Sequence, residues 1–127
     1  MSSQIIKQKF QIIEIDIQAA GSVVKLSKAT ETDHDEIIGV VLFKDGGTHG
    51  HGTFGLKIDG DEIFPDNFHA DIVTLNSENK NIVLNDVLWP VQKQGKGSVI
   101  EIEYREPENG SSGKMWLYLV AKKYNNA

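Results

Sequence analysis

No cysteine occurs in the 127 residues. This excludes disulfide scaffolds, thiol nucleophiles and thiolate metal sites together, and it leaves packing alone to hold the fold. Long apolar runs are missing too: MSSQIIKQKF at the N-terminus has no signal-like apolar core, and no stretch approaches the ~20 apolar residues of a membrane-spanning helix. The expectation is a soluble chain made inside a cell, with no membrane partner. Basic charge is in deficit, 13 Lys+Arg against 18 Asp+Glu for a net charge of −5, so the average surface repels a phosphate backbone. Lys93, Lys96, Lys114, Lys122 and Lys123 are scattered and read as solvated or edge-protecting. Nucleic acid is therefore not an expected partner.

Helical periodicity is absent and strand periodicity is nearly everywhere. In SVIEIEY, Val99, Glu101 and Glu103 face one way while Ile100, Ile102 and Tyr104 face the other, as in a half-buried strand. KFQIIEIDIQ alternates Ile13, Ile15 and Ile17 with Glu14 and Asp16, but Phe10 and Ile12 fall on the opposite phase. A bulge near Ile12 or a crossing between sheets would account for the slip. Further strands are expected at 22–26, 37–43, 53–58, 70–75 and 115–121. The last, MWLYLVA, is apolar on both faces and therefore central.

Turn signals separate these runs: Asp45-Gly46-Gly47, Asp59-Gly60, Gln94-Gly95-Lys96-Gly97 and Glu108-Asn109-Gly110. Within LKIDGDEIF, residues 56–58 should pair with 62–64, and Pro65 should stop the hairpin. The segment 79–91 breaks the even spacing, and its Trp89-Pro90 step suits an edge strand or a long crossing connection. Such crossings are what Greek-key and jelly-roll topologies need. The expectation is one all-β domain over 1–127, a two-sheet antiparallel sandwich of jelly-roll type with a short N-terminal arm at about 1–9.

Chemistry is concentrated in GGTHGHGTFG, residues 46–55, where His49 and His51 stand between glycines. A histidine metal site needs further donors converging on the pair. A cupin-like motif would place a glutamate a few residues on, yet no carboxylate follows before Asp59; His69 and His34 are the remaining imidazoles. The plainer reading is a mobile hairpin loop, since five of these ten residues are glycine. Residues 31–36, with Asp33, His34, Asp35 and Glu36, lack the glycine and spacing of a calcium loop. Ser111 and Ser112 lie in a glycine-rich turn without the spacing of a phosphate loop. Glu101 and Glu103 share a strand face about 7 Å apart, which superficially suits glycoside hydrolysis but equally suits a solvated face. Trp89 and Trp116 read as core or interface anchors.

The runs TDHDEIIGVVLF, TFGLKIDGDEIFPDNFHADIVTLN, GSVIEIEYRE and MWLYLVAKK together resemble small single-jelly-roll virion proteins of bacteriophages, of the penton, vertex or capsid-accessory kind. In that family an IxGV strand precedes a glycine-rich loop, an IDGxEIFPxxF segment, a GSxIE strand and a closing LYL strand. The resemblance covers Asp33 to Lys123. It implies a non-enzymatic structural subunit without cofactor, metal or catalytic residues, located in the virion, whose partners are copies of itself and other virion proteins. Ile5 and Ile6 in the arm, with Phe10 beyond it, are the candidate assembly contacts. A carbohydrate-binding or adhesion sandwich is the alternative, and a cupin-like metalloprotein using His49 and His51 is the third.

Overall fold

The computed structural model describes residues 5–31, 35–44, 47–76, 88–94 and 97–125. Among the described residues nine strands are seen: β1 (Ile5–Ile17), β2 (Val23–Ala29), β3 (Glu36–Lys44), β4 (Thr53–Ile58), β5 (Asp61–Phe64), β6 (Thr74–Asn76), β7 (Trp89–Gln94), β8 (Val99–Arg105) and β9 (Gly113–Asn125). They form two sheets, in the order β1-β9-β3-β6 with β7 also on β3, and β2-β8-β4-β5. We call these sheet A and sheet B. Antiparallel ladders join β1 to β9, β2 to β8, β3 to β7 and β4 to β5, and two more, β3 to β9 and β4 to β8, complete the sheets. First pairs with last, second with second-to-last and so inward, as in one long hairpin wound into two layers. That winding is a jelly roll.

β6 lies outside the winding and makes the single parallel ladder among the described residues, Leu42 to Thr74 through Lys44 to Asn76. β7 takes the other half of the same edge of β3, so Trp89-Pro90 begins an edge strand as proline requires. The strand expected at 70–75 is instead a 3-10 turn, Ala70–Ile72, followed by β6. The Thr74 hydroxyl donates to the Ala70 carbonyl at 2.5 Å, a local bond that competes with extending the strand backwards. Residues 77–87, most of the expected crossing, lie outside the described residues.

The bulge expected near Ile12 is not there. The register of β1 on β9 runs unbroken from Ile5↔Asn125 to Ile17↔Gly113. Ile13, Ile15 and Ile17 face the core, and Phe10 and Ile12, even-numbered, face out from sheet A at 50% and 52% exposure. The irregularity sits in β3, between Ile37 and Gly39. It lets Ile37 and then Val40 and Leu42 all point inward, which explains an apolar run too dense for simple alternation. A side chain at Gly39 would collide with Leu88, 2.8 Å from where its Cβ would stand. Of the expected arm, residues 5–9 are the first part of β1, with Ile5 opposite Asn125 and Ile6 opposite Tyr124, and residues 1–4 lie outside the described residues.

The core is the space between the sheets. Ile15, Ile17, Met115, Leu117 and Leu42 from sheet A meet Phe54, Leu56, Ile58, Ile100 and Tyr104 from sheet B, all fully buried. Phe64, Phe68 and Trp89 lock one end, with Phe64 stacked on Phe68 at 4.5 Å between centroids and Trp89 edge-on to both. The Asp59-Gly60 hairpin has both residues at positive φ, 51° and 81°, as a two-residue turn demands. It pairs Ile58 with Asp61 and carries a bulge at Leu56/Lys57, so β5 begins one residue earlier than the sequence suggests. The turn docks on β8 twice: Asp59 N–H donates to the Val99 carbonyl at 2.9 Å, and Val99 N–H to Asp59 Oδ1 at 2.8 Å. Truncation of the central contact Ile15→Ala should cost about 2–5 kcal/mol, measured by denaturant unfolding; a loss under 1 kcal/mol would mean that the sheets do not meet there.

Candidate functional site

The glycine loop joins β3 to β4, and its described part, 47–52, is tied down at nearly every residue. Lys44, the last residue of β3, sits opposite Met115 at an inward position and is 5% exposed. Its ammonium must then find partners inside the protein. Nζ donates to the His49 carbonyl at 2.7 Å and the Gly47 carbonyl at 3.4 Å, and lies 3.1 Å from His51 Nε2. His51 Nδ1 is 2.7 Å from Asp71 Oδ1 in the 3-10 turn. One tautomer satisfies both contacts: Nδ1–H donates to the carboxylate and bare Nε2 accepts from the ammonium. Gly47 and Gly50 supply the positive φ values, 118° and 91°, that curl the chain around Lys44.

A second anchor comes from β8. Glu106, 1% exposed, accepts the Tyr104 hydroxyl at 2.5 Å and Gly50 N–H at 3.1 Å on Oε1, and Ser111 N–H at 2.9 Å on Oε2. Three donors make burial of that carboxylate tolerable. Tyr104 Oη in turn accepts Gly52 N–H at 3.0 Å. Burial, and then the hydrogen bond to Glu106, push the Tyr104 phenol well above its ordinary value. The His49 ring is buried, and its Nε2 donates to the Lys114 carbonyl at 2.9 Å. A side chain at Gly113 would strike that ring, which is why β9 starts on glycine.

Thus the His49 and His51 rings meet different partners, and the described residues 47–52 are fastened by hydrogen bonds rather than hanging as a loose hairpin. His51 has both nitrogens occupied, and Lys44 has three acceptors for its three protons. Neither is a base or nucleophile poised for a substrate. His69 is exposed ahead of the 3-10 turn and pairs in an isolated bridge with Thr53. His34 lies outside the described residues. Asp35 and Glu36 hold the end of β9: Asp35 Oδ2 accepts Tyr124 N–H at 2.7 Å, and Glu36 Oε1 accepts the Tyr124 hydroxyl at 2.5 Å. Ser111 Oγ meets Thr48 Oγ1 at 2.8 Å. Among the described residues no group of three His, Asp or Glu converges as a metal site would.

The two outer faces differ sharply. On sheet B, Lys25, Ser27, Lys57, Asp66, Glu101 and Glu103 line a shallow cleft of about 340 Å³ over Gly55, with Lys25 and Glu103 paired at 3.6 Å. No aromatic ring lines it, so it offers a sugar no stacking platform. On sheet A, the register puts Phe10 and Ile12 beside Val120 and Tyr118, and carries the row on to Val41 and, through Trp116, to Phe43. Phe43 lies 6.0 Å from Trp116 and 6.5 Å from Tyr118 between ring centroids. Val41 and Val120 are buried at the middle of this face, while the three rings are half-buried. Of the candidate contacts, Phe10 is on this face; Ile5 and Ile6 extend the same strand. Sequence reasoning missed Lys44, Asp71, Tyr104 and Glu106 as loop anchors. It also missed Ile12, whose apolar side chain on the charged phase of β1 was the visible signal.

Tyr104→Phe tests the loop anchor. Because the folded state holds the phenol protonated, its contribution is complete below about pH 10, the unfolded value, and is lost as pH rises through the folded one. The variant should lose about 1–3 kcal/mol near neutral pH, from the buried groups left unpaired, and show a flatter decline in stability above about pH 10. Parallel alkaline slopes in urea unfolding would show that Tyr104 ionises freely.

No family model and no curated protein matches the chain. Among solved structures it is similar to dimeric latent PorU from Porphyromonas gingivalis (TM-score 0.40, 9% identity, 91% of this chain and 13% of that one). It is also similar to BuGH86 in complex with neoagarooctaose (0.35, 16%, 94% and 20%) and to infectious bursal disease virus, Gx strain (0.32, 13%, 96% and 37%). The chain spans well under half the length of each, and likeness at this level decides nothing about function.

Proposed function

We propose that this protein is a non-enzymatic structural subunit of a phage particle, a jelly-roll brick that assembles with copies of itself and with other virion proteins. The observation that carries the reading is the outer face of sheet A. Phe10, Ile12, Phe43, Trp116 and Tyr118 present apolar and aromatic surface across three strands, where a monomer's outer sheet face is ordinarily polar, as sheet B is here. Aromatic clusters with buried aliphatic centres are what interface cores are built from. The polar groups of the glycine loop are consumed in holding the loop, which supports a subunit without catalysis. The sequence resemblance to phage virion proteins supplies the setting.

The expected native mass of the untagged protein, by light scattering over a concentration series, is a multimer larger than a dimer. Replacing Phe43 and Tyr118 by Glu should weaken association about tenfold or more per site, ~1.4 kcal/mol each, with unchanged circular dichroism. A monomer at every concentration would overturn the reading.

A further inference from the structure

We propose that Asn109-Gly110 is a self-modification site, whose substrate is the asparagine amide and whose co-reactant is water, and that its β-aspartyl product unfastens the glycine loop. The proposal stands apart from the assembly reading. Asn109 is the one asparagine of the chain followed by glycine. That pairing matters because the backbone nitrogen of the next residue must reach Asn109 Cγ, and a Cβ on that residue would stand in the way. Asn109 is exposed, in a turn closed by Gly110 N–H donating to the Pro107 carbonyl at 2.9 Å. A surface turn closed by its own backbone bond opens locally at small cost. Opening releases the Gly110 nitrogen.

The chemistry is intramolecular. The Gly110 nitrogen gives up its proton and attacks Asn109 Cγ; the new C–N bond closes a five-membered imide as the side-chain nitrogen leaves, with that proton, as ammonia. Water then opens the imide at either carbonyl. One product is aspartate at 109, and the other is its β-linked isomer, in which the main chain runs through Cβ and Cγ and is one carbon longer.

Position gives the extra carbon its effect. Gly110 packs against the Glu106 carboxylate so closely that a Cβ there would stand 2.1 Å from Oε2, and it has no room to shift inward. Ser111, the next residue, donates its N–H to the same Oε2 at 2.9 Å, and its Oγ meets Thr48 Oγ1 at 2.8 Å. At the other end of the turn the Pro107 carbonyl also accepts Gly21 N–H at 3.0 Å. With both ends fixed, a longer main chain displaces Ser111, and the buried Glu106 is left short of a donor. Gly50, whose N–H donates to Oε1 of that carboxylate at 3.1 Å, loosens with it. Aspartate at 109 keeps the chain length and puts its charge in water, so it leaves the loop alone.

The test ages the whole protein in mildly alkaline buffer and maps its peptides by mass spectrometry, with chromatography separating aspartyl from β-aspartyl forms. Asn109 should convert first, ahead of Asn76, whose neighbour is Ser77, and mostly to the β-linked form. In the β-aspartyl fraction, amide hydrogen exchange at Gly50 and Ser111 should quicken by about tenfold or more. Asn109→Asp protein should exchange there as fresh protein does, and Asn109→Gln should remove the effect of ageing on the loop. Conversion of another asparagine first, or none at Asn109, overturns the site. Unchanged exchange at Gly50 in the β-aspartyl fraction, or equal quickening in Asn109→Asp, overturns the link to the glycine loop.

Discussion

β9 is apolar on both faces, and a two-layer sandwich covers only one of them. Met115, Leu117, Leu119 and Ala121 turn inward and are fully buried under sheet B, while Trp116, Tyr118 and Val120 turn outward beside Phe10, Ile12, Val41 and Phe43. Both placements follow from the period-2 geometry of a strand with no bulge to rephase it. A slip of one residue would merely exchange one apolar set for another, so the neighbours must settle the register. They do: β1 offers Ile13, Ile15 and Ile17 on one face and Glu14 and Asp16 on the other, and only the observed phase keeps those acids out of the core.

The same logic explains why the end loops are fastened. Winding a hairpin into two layers brings the glycine-rich β3–β4 connection beside the segment between β8 and β9. Glycine allows close approach and costs chain entropy on ordering, so enthalpy has to come from elsewhere. Lys44 and Glu106 supply it, one at the end of β3 and one just past β8, each buried, with Lys44 donating to loop carbonyls and Glu106 accepting Gly50 N–H beside the Tyr104 hydroxyl and Ser111 N–H. Buried charges with complete hydrogen bonding contribute uniqueness more surely than stability. Here they define where Gly47 to Gly52 sits.

Much of the architecture was legible because it is periodic. Alternation located β1, β3, β4, β8 and β9, the two-sided apolarity of MWLYLVA placed β9 centrally, and Asp59-Gly60 announced its hairpin. Three things were not. Ala70–Ile72 reads as strand by residue type and turns helically because of a local hydroxyl bond that alternation does not encode. The phase of Phe10 and Ile12 looked like a backbone irregularity because apolar residues were assumed to point inward; they point outward on a regular strand. Lys44 is seven residues from His51, but Asp71 lies 20 residues beyond it and Lys114 lies 65 beyond His49, and no spacing rule connects a histidine to a carbonyl at Lys114 or a carboxylate at Asp71.

A jelly roll by itself serves capsids, lectins and cupins alike, so the choice between them rests on where the polar and apolar groups are spent. A cupin-like centre would need imidazoles converging on an open site, and here His51 is bracketed by an ammonium and a carboxylate. A sugar-binding face would need rings beside hydrogen-bonding groups; here the polar groups sit on sheet B without rings, and most exposed ring surface sits on sheet A away from them. Segregation of that kind favours protein–protein contact, since an apolar centre with charge displaced to other faces matches the anatomy of a stable interface. β1 serves both faces at once: its inward isoleucines build the core, and its outward Phe10 and Ile12 add to the exposed apolar face of sheet A.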